Sequence, residues 1–200
     1  MVGQGLGVAK NSDTPVAIPL WSKLPRGERY RYLSLFMHLD PGELPSLGAV
    51  EFGLLIQWVF EQRGLETTTA VYGRGHIDLE LYNARYASSE FARVYPRERE
   101  MPVNPLWVLL NELKDTHFNR IYLCTTGKFS RQYSATQKEF PLALNLVEGE
   151  ELQAYVRTAQ QKWQQEMNRR SSRVVYVLPE RRGVWQSLKR RVLGLLRGRR

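Results

Sequence analysis

The chain has 200 residues, 42% hydrophobic and 24% charged, a balance that suits one folded domain with a real core and excludes a disordered polyelectrolyte. Its single cysteine, Cys124, allows neither an internal disulfide nor a cysteine-based zinc centre, so a reducing, cytoplasmic setting is expected. Met1 to Thr14 lacks the basic-then-apolar pattern of a signal peptide, and no stretch approaches the ~20 apolar residues of a membrane span. The net charge of +9 is unevenly placed: residues 169–200 hold eleven basic residues and one acid, whereas 1–168 hold 18 basic and 19 acidic. Basicity belongs to the tail, and with it the expectation of a polyanionic partner.

In chain order, residues 1–20, with Gly3, Gly5, Gly7 and two prolines, read as a flexible leader, and 21–168 as the globular domain. Tyr30, Leu33, Phe36 and Met37 at helical spacing predict a helix over Glu28 to Leu39, closed by Asp40-Pro41-Gly42. Phe52, Leu55, Ile56, Val59 and Phe60 predict a stronger helix from Ala49 to Arg63, with Gly64 as its stop. The β-branched run from Leu65 to Tyr72 predicts a strand, Gly73-Arg74-Gly75 a turn, and His76 to Tyr86 a second strand. In that second strand Ile77, Leu79 and Leu81 share one face, with His76, Asp78 and Glu80 on the other. Pro96 to Pro105 reads as a polar connection, Leu106 to Leu113 as a helix and Arg120 to Thr126 as a buried strand. Ser130 is the expected N-cap of a helix over 130–139, Leu142 to Val147 a strand and Glu150 to Asn168 a long helix. Trp58, Trp107 and Cys124 read as core.

The alternation of strands and helices implies an α/β sheet covered by helices. The tail, 169–200, carries a short strand over Arg173 to Leu178 and a basic amphipathic helix over Val184 to Leu196. Trp185, Leu188, Val192, Leu195 and Leu196 form its apolar stripe, and Lys189, Arg190, Arg191 and Arg197 lie around the rest.

Three segments in order carry a resemblance. Glu51-Phe52-Gly53 opens a helix ending in Gln62-Arg63-Gly64-Leu65-Glu66. Gly73-Arg74-Gly75-His76-Ile77-Asp78-Leu79 follows. Then come Thr125-Thr126-Gly127-Lys128-Phe129-Ser130, Ala135, and Leu144-Asn145-Leu146-Val147-Glu148-Gly149-Glu150-Glu151-Leu152. Across about residues 49–156 this resembles the Mrr type of restriction endonuclease, a branch of the PD-(D/E)xK nucleases. The resemblance implies a three-layer domain with a central mixed sheet flanked by helices. It also implies action on DNA by Mg²⁺-dependent phosphodiester hydrolysis: carboxylates hold the ion, which activates water, and a lysine positions the nucleophile.

Carried onto this chain, Asp78 matches the metal-binding aspartate. The Glu/Gln-x-Lys pair is best matched by Asn83-Ala84-Arg85, where Asn is a weak ligand for a hard cation and Arg can stabilise a phosphate but not act as a base. In the family a turn separates the aspartate's strand from the lysine's, whereas Asp78 and Arg85 lie seven residues apart. On one regular strand Asp78 and Asn83 would face opposite ways. A metal site of Asp78, Glu80 and Glu51 is the fallback. Lys128 and Arg74, with Lys189, Arg190, Arg191 and Arg197, are the candidate nucleic-acid contacts.

Three functional readings stay open. The first is an active Mg²⁺-dependent endonuclease; the second is a catalytically degenerate relative that binds DNA or a protein partner. The third is a peripheral protein held on an anionic membrane by its C-terminal helix. Homo-oligomerisation is compatible with each. Neither a Ser/His/Asp triad nor a phosphate loop is present.

Overall fold

The computed structural model describes residues 15–96, 100–133, 137 and 143–173. Helices α1 (Arg26–His38) and α2 (Ala49–Gln62) precede strands β2 (Leu65–Gly73), β3 (His76–Asn83) and β4 (Ser88–Tyr95). Strand β1 (Val16–Ala17) lies before α1. After β5 (Glu100–Met101) come α3 (Asn104–Leu113), β6 (Arg120–Thr125), β7 (Lys128–Phe129), β8 (Ala143–Val147) and α4 (Gly149–Arg173). The main sheet has the order β1-β2-β3-β4-β6-β8, antiparallel from β1 to β4 and parallel from β4 to β8. It is the mixed sheet flanked by helices that the sequence implies.

Strand alternation decides which side chains meet which helix. Ile77, Leu79 and Leu81 are buried on one face, the one against which α2 packs: a Cβ added to Gly53 would lie 3.4 Å from Ile77 Cδ1. All of Phe52 to Phe60 in α2 is buried, so Leu54, Gln57 and Trp58 are covered as well as the expected Phe52, Leu55, Ile56, Val59 and Phe60. Gly64 ends the helix at φ +84°, a left-handed conformation that glycine adopts without a steric penalty. On the other face Phe91, Tyr95, Ile121 and Leu123 form a second core with Leu106, Leu109 and Leu113 of α3. Helices on both faces give three layers.

Several expectations are corrected. Residues 15–20, read as the end of a flexible leader, include β1 on the edge of the sheet, and the Ile18 N–H donates to the Ala70 carbonyl at 2.9 Å. Ile18 is buried. The strand expected over 76–86 stops at Asn83, and a turn leads into β4, an element the sequence reading did not anticipate. Lys128 and Phe129, expected at a helix entry, form β7 and pair in parallel with β5. Ser130 caps nothing there: its buried hydroxyl has no hydrogen bond among the described residues. Most of the helix expected over 130–139 lies outside the described residues. Trp58 is buried, but Trp107 is about half exposed on α3.

The chain divides into two compact units, 1–162 and 163–200. Of the second, residues 163–173 are described, all helical, with an Arg170–Glu166 ion pair at 2.9 Å. Arg173, expected to begin the tail strand, ends α4 instead; the rest of that strand and the amphipathic helix, with Lys189, Arg190, Arg191 and Arg197, fall outside the described residues. None of the described helices is long and apolar enough to cross a membrane.

Candidate functional site

The Gly73-Arg74-Gly75 segment delivers Asp78 as anticipated. Arg74 and Gly75 take positive φ (51° and 80°), which closes the β2–β3 hairpin tightly. Alternation then points His76, Asp78 and Glu80 to the α3 side.

The partner that meets Asp78 there is Arg93. Asp78 and Arg93 are directly opposite in the β3–β4 register. Arg93 donates through Nε to Asp78 Oδ1 at 2.7 Å and through Nη2 to Oδ2 at 2.8 Å. The same Nη2 lies 2.8 Å from Oε2 of Glu112 on α3, and His76 Nε2 lies 3.5 Å from Asp78 Oδ2. Arg93 is buried, while Asp78 is partly open and Glu112 more so. Tyr95 closes the group, with its ring centroid 5.5 Å from that of His76.

The electrostatics follow from burial opposed by pairing. Burial pushes the Asp78 carboxyl up, but hydrogen bonds from Arg93 and His76 outweigh it and hold the group below the ordinary carboxylate value. Burial lowers Arg93, yet the bonds to Asp78 reverse this and fix its charge more firmly. Burial, opposed by Arg93 and reinforced by Asp78 and Glu112, pushes Tyr95 up to about 12. These groups form a bidentate ion pair that also ties α3 to the sheet.

The other expected site residues do not join it. Asn83 lies five residues along β3 from Asp78, roughly 17 Å of extended chain. Its Nδ2 donates to Glu90 Oε1 at 3.0 Å, and its Oδ1 accepts from the Arg85 N–H at 3.2 Å. Asn83-Ala84-Arg85 is therefore the start of the β3–β4 turn and not a catalytic strand. Arg85 is exposed, over the ring of Tyr86. Glu80 is exposed and accepts from Thr69 Oγ1 at 2.9 Å. Glu51 sits at the start of α2, where Oε2 accepts from the Gly48 N–H at 3.1 Å. That helix covers the face opposite Asp78, so the sheet separates Glu51 from Asp78. Lys128 on β7 and Arg74 in the hairpin turn are both exposed.

Magnesium needs several oxygen ligands in near-octahedral array. Here both Asp78 oxygens are held by a guanidinium. Phe91 is the register partner of Glu80, and among the described residues no three His, Cys, Asp or Glu side chains gather into a metal-holding group. The residues present do not fit the ion. Arg93 and Glu112 were not legible as site residues, although one signal pointed to Arg93. The turn that the resemblance leads one to expect between the aspartate's strand and the next carries the reading past Arg85 to a second strand, where Arg93 stands opposite Asp78.

Cys124 is fully buried in β6, and burial pushes its thiol up, as a core residue requires.

No family model matches the chain, and no curated protein matches it. Among solved structures it is similar to the DNA modification-dependent restriction endonuclease AspBHI. That match has 13% identity over 84% of this chain and 44% of the other, with a TM-score of 0.38. It is also similar to the MspJI restriction endonuclease in complex with a 27-mer oligonucleotide, at 16% identity over 67% of this chain and 32% of the other, with a TM-score of 0.35. The chain spans less than half the length of either.

Proposed function

We propose that the chain is a DNA-binding protein on a nuclease-type body, descended from an Mrr-like restriction endonuclease and no longer able to cut. One observation carries the loss of cutting: Arg93 occupies both oxygens of Asp78. A divalent ion at Asp78 would have to displace a buried guanidinium and leave it with Glu112 as its remaining acidic partner. The order of elements supports the descent. A Phe-led helix ends at Gly64 before β2, a glycine turn precedes Asp78, a turn separates β3 from β4, and Glu148-Gly149 opens α4. The charge supports DNA as partner, since eleven of the 29 basic residues lie in residues 169–200, where phosphate contacts release counterions.

The test is a plasmid-nicking assay in Mg²⁺ and in Mn²⁺, run beside duplex binding by fluorescence anisotropy. The wild type is expected to bind DNA with a steep salt dependence and to leave the plasmid intact. Metal-dependent nicking by the wild type, abolished in Asp78→Ala, would overturn the non-cutting reading. A wild type that neither cuts nor binds DNA removes nucleic acid as the partner.

A further inference from the structure

We propose that the exposed side of α1, with Arg26, Tyr30 and Arg31, together with Lys23 just before it, is a second contact for the nucleic-acid backbone, separate from the tail. The proposal rests on the DNA-binding reading above and locates a surface for it.

Charge is the first observation. Residues 21–38 hold four basic residues and one acid, a net of +3, whereas 39–168 hold 13 basic and 17 acidic, a net of −4. A cationic segment beside an acid-rich body would ordinarily be neutralised by it. Yet Lys23, Arg26 and Arg31 are exposed, and the four ion pairs among the described residues include none of them. Arg29 differs, since its Nε is committed to the Leu24 carbonyl at 3.1 Å.

Geometry is the second. Arg31 lies over the Tyr32 ring at 5.1 Å, and Tyr32 is itself stacked on the buried Phe36 at 6.0 Å. Arg26 lies over Tyr30 at 5.5 Å and donates to its hydroxyl at 3.3 Å. A guanidinium laid over a ring keeps N–H donors on its edge for phosphate oxygens and surrenders less side-chain freedom on binding. Tyr30 is half exposed, and aromatic rings beside cations are the usual platform for nucleic acid. An anionic membrane would want a broader apolar face; the large apolar side chain exposed on α1 besides Tyr30 is Leu35.

Position is the third. Phe36 of α1 stacks on Trp58 of α2 at 5.8 Å, so α1 belongs to the α2 side of the sheet, away from Asp78. DNA held on α1 is not presented to the Asp78–Arg93 pair, which agrees with binding without cutting.

The experiment uses the full chain and a fluorescein-labelled duplex across a salt series, comparing wild type with Lys23→Gln/Arg26→Gln/Arg31→Gln. Exposed substitutions should leave the melting temperature unchanged, which thermal denaturation checks. The slope of log affinity against log salt is expected to flatten by about 2–3, near 0.9 for each lost phosphate contact. A wild-type chain that binds with an unchanged slope in the variant overturns the α1 surface and leaves the DNA-binding reading intact. Absence of wild-type binding overturns both. Loss of flotation with phosphatidylserine vesicles in the variant, with DNA binding unaffected, overturns the nucleic-acid assignment in favour of a membrane surface.

Discussion

The two faces of the sheet bury their side chains by different physics. Under α2 the buried side chains include Phe52, Leu55, Ile56 and Val59 of the helix and Ile77, Leu79 and Leu81 of β3, apolar groups indifferent to pH. Under α3, strands β3 and β4 place Asp78 and Arg93 in register, with Glu112 supplied by the helix. An apolar face tolerates small errors of fit, whereas a buried cation requires its partners. The difference teaches that one face is held by apolar packing and the other by charges whose pairing is part of the fold.

The largest expected effect comes from Arg93→Leu. It leaves two carboxylates facing each other without their cation, a change of the kind that costs about 3–5 kcal/mol. Urea unfolding should show it, and most of the loss should return when Asp78→Asn and Glu112→Gln are added. If Arg93→Leu alone is neutral, the ion pair is not what holds α3. The pairing also sets a pH dependence. The Asp78 carboxyl is held below its ordinary value of 3.8, so its contribution is complete above that value. It is lost as the pH falls through the lowered folded value. Asp78→Asn should be less stable near neutrality and lose less on acidification.

On the α2 face Leu79→Ala should cost about 3 kcal/mol through lost burial and the cavity left behind. Unlike the Arg93 effect, it should be the same at about pH 4 as at about pH 7. A pH-dependent Leu79→Ala penalty would mean that the two faces are coupled through β3.

Much of the apolar face was legible in the sequence. The α2 stripe repeats at helical spacing and β3 alternates strictly, so both elements announce themselves. Strand β4 does not. Its residues from Glu90 to Tyr95 are buried on both faces, which removes the alternation and leaves a run that local patterning does not resolve. Arg93 breaks that run with a charge and disguises it further. Asp78 was legible from the glycine turn before it, but its partner is set by hairpin register and Glu112 by helix docking, neither of which is a spacing in sequence. The Asn83-Ala84-Arg85 match fails for the same reason, because these residues enter a turn closed by the Tyr86 N–H to the Asn83 carbonyl.

Asn83→Ala tests that turn. The Asn83 amide donates to the carboxylate of Glu90, which is buried at 2% exposure. Removing it withdraws a hydrogen bond from a buried acid and opens the turn, at a cost of about 1–3 kcal/mol. Duplex affinity should be unchanged, because the side chain is engaged within the hairpin. A fall in DNA affinity without loss of stability would return Asn83 to the binding surface.

The smallest effect is expected at Glu51, and it separates the faces most cleanly. Glu51 accepts from the Gly48 N–H at the start of α2, so Glu51→Ala removes an exposed capping interaction worth about 0.5–1 kcal/mol. If Glu51 instead served a metal site with Asp78, adding Mg²⁺ would stabilise the wild type and not the variant. With the sheet between the two carboxylates, the melting temperatures of both proteins should respond identically to Mg²⁺. A selective Mg²⁺ stabilisation of the wild type would place Glu51 and Asp78 in one site and erase the distinction between the two faces.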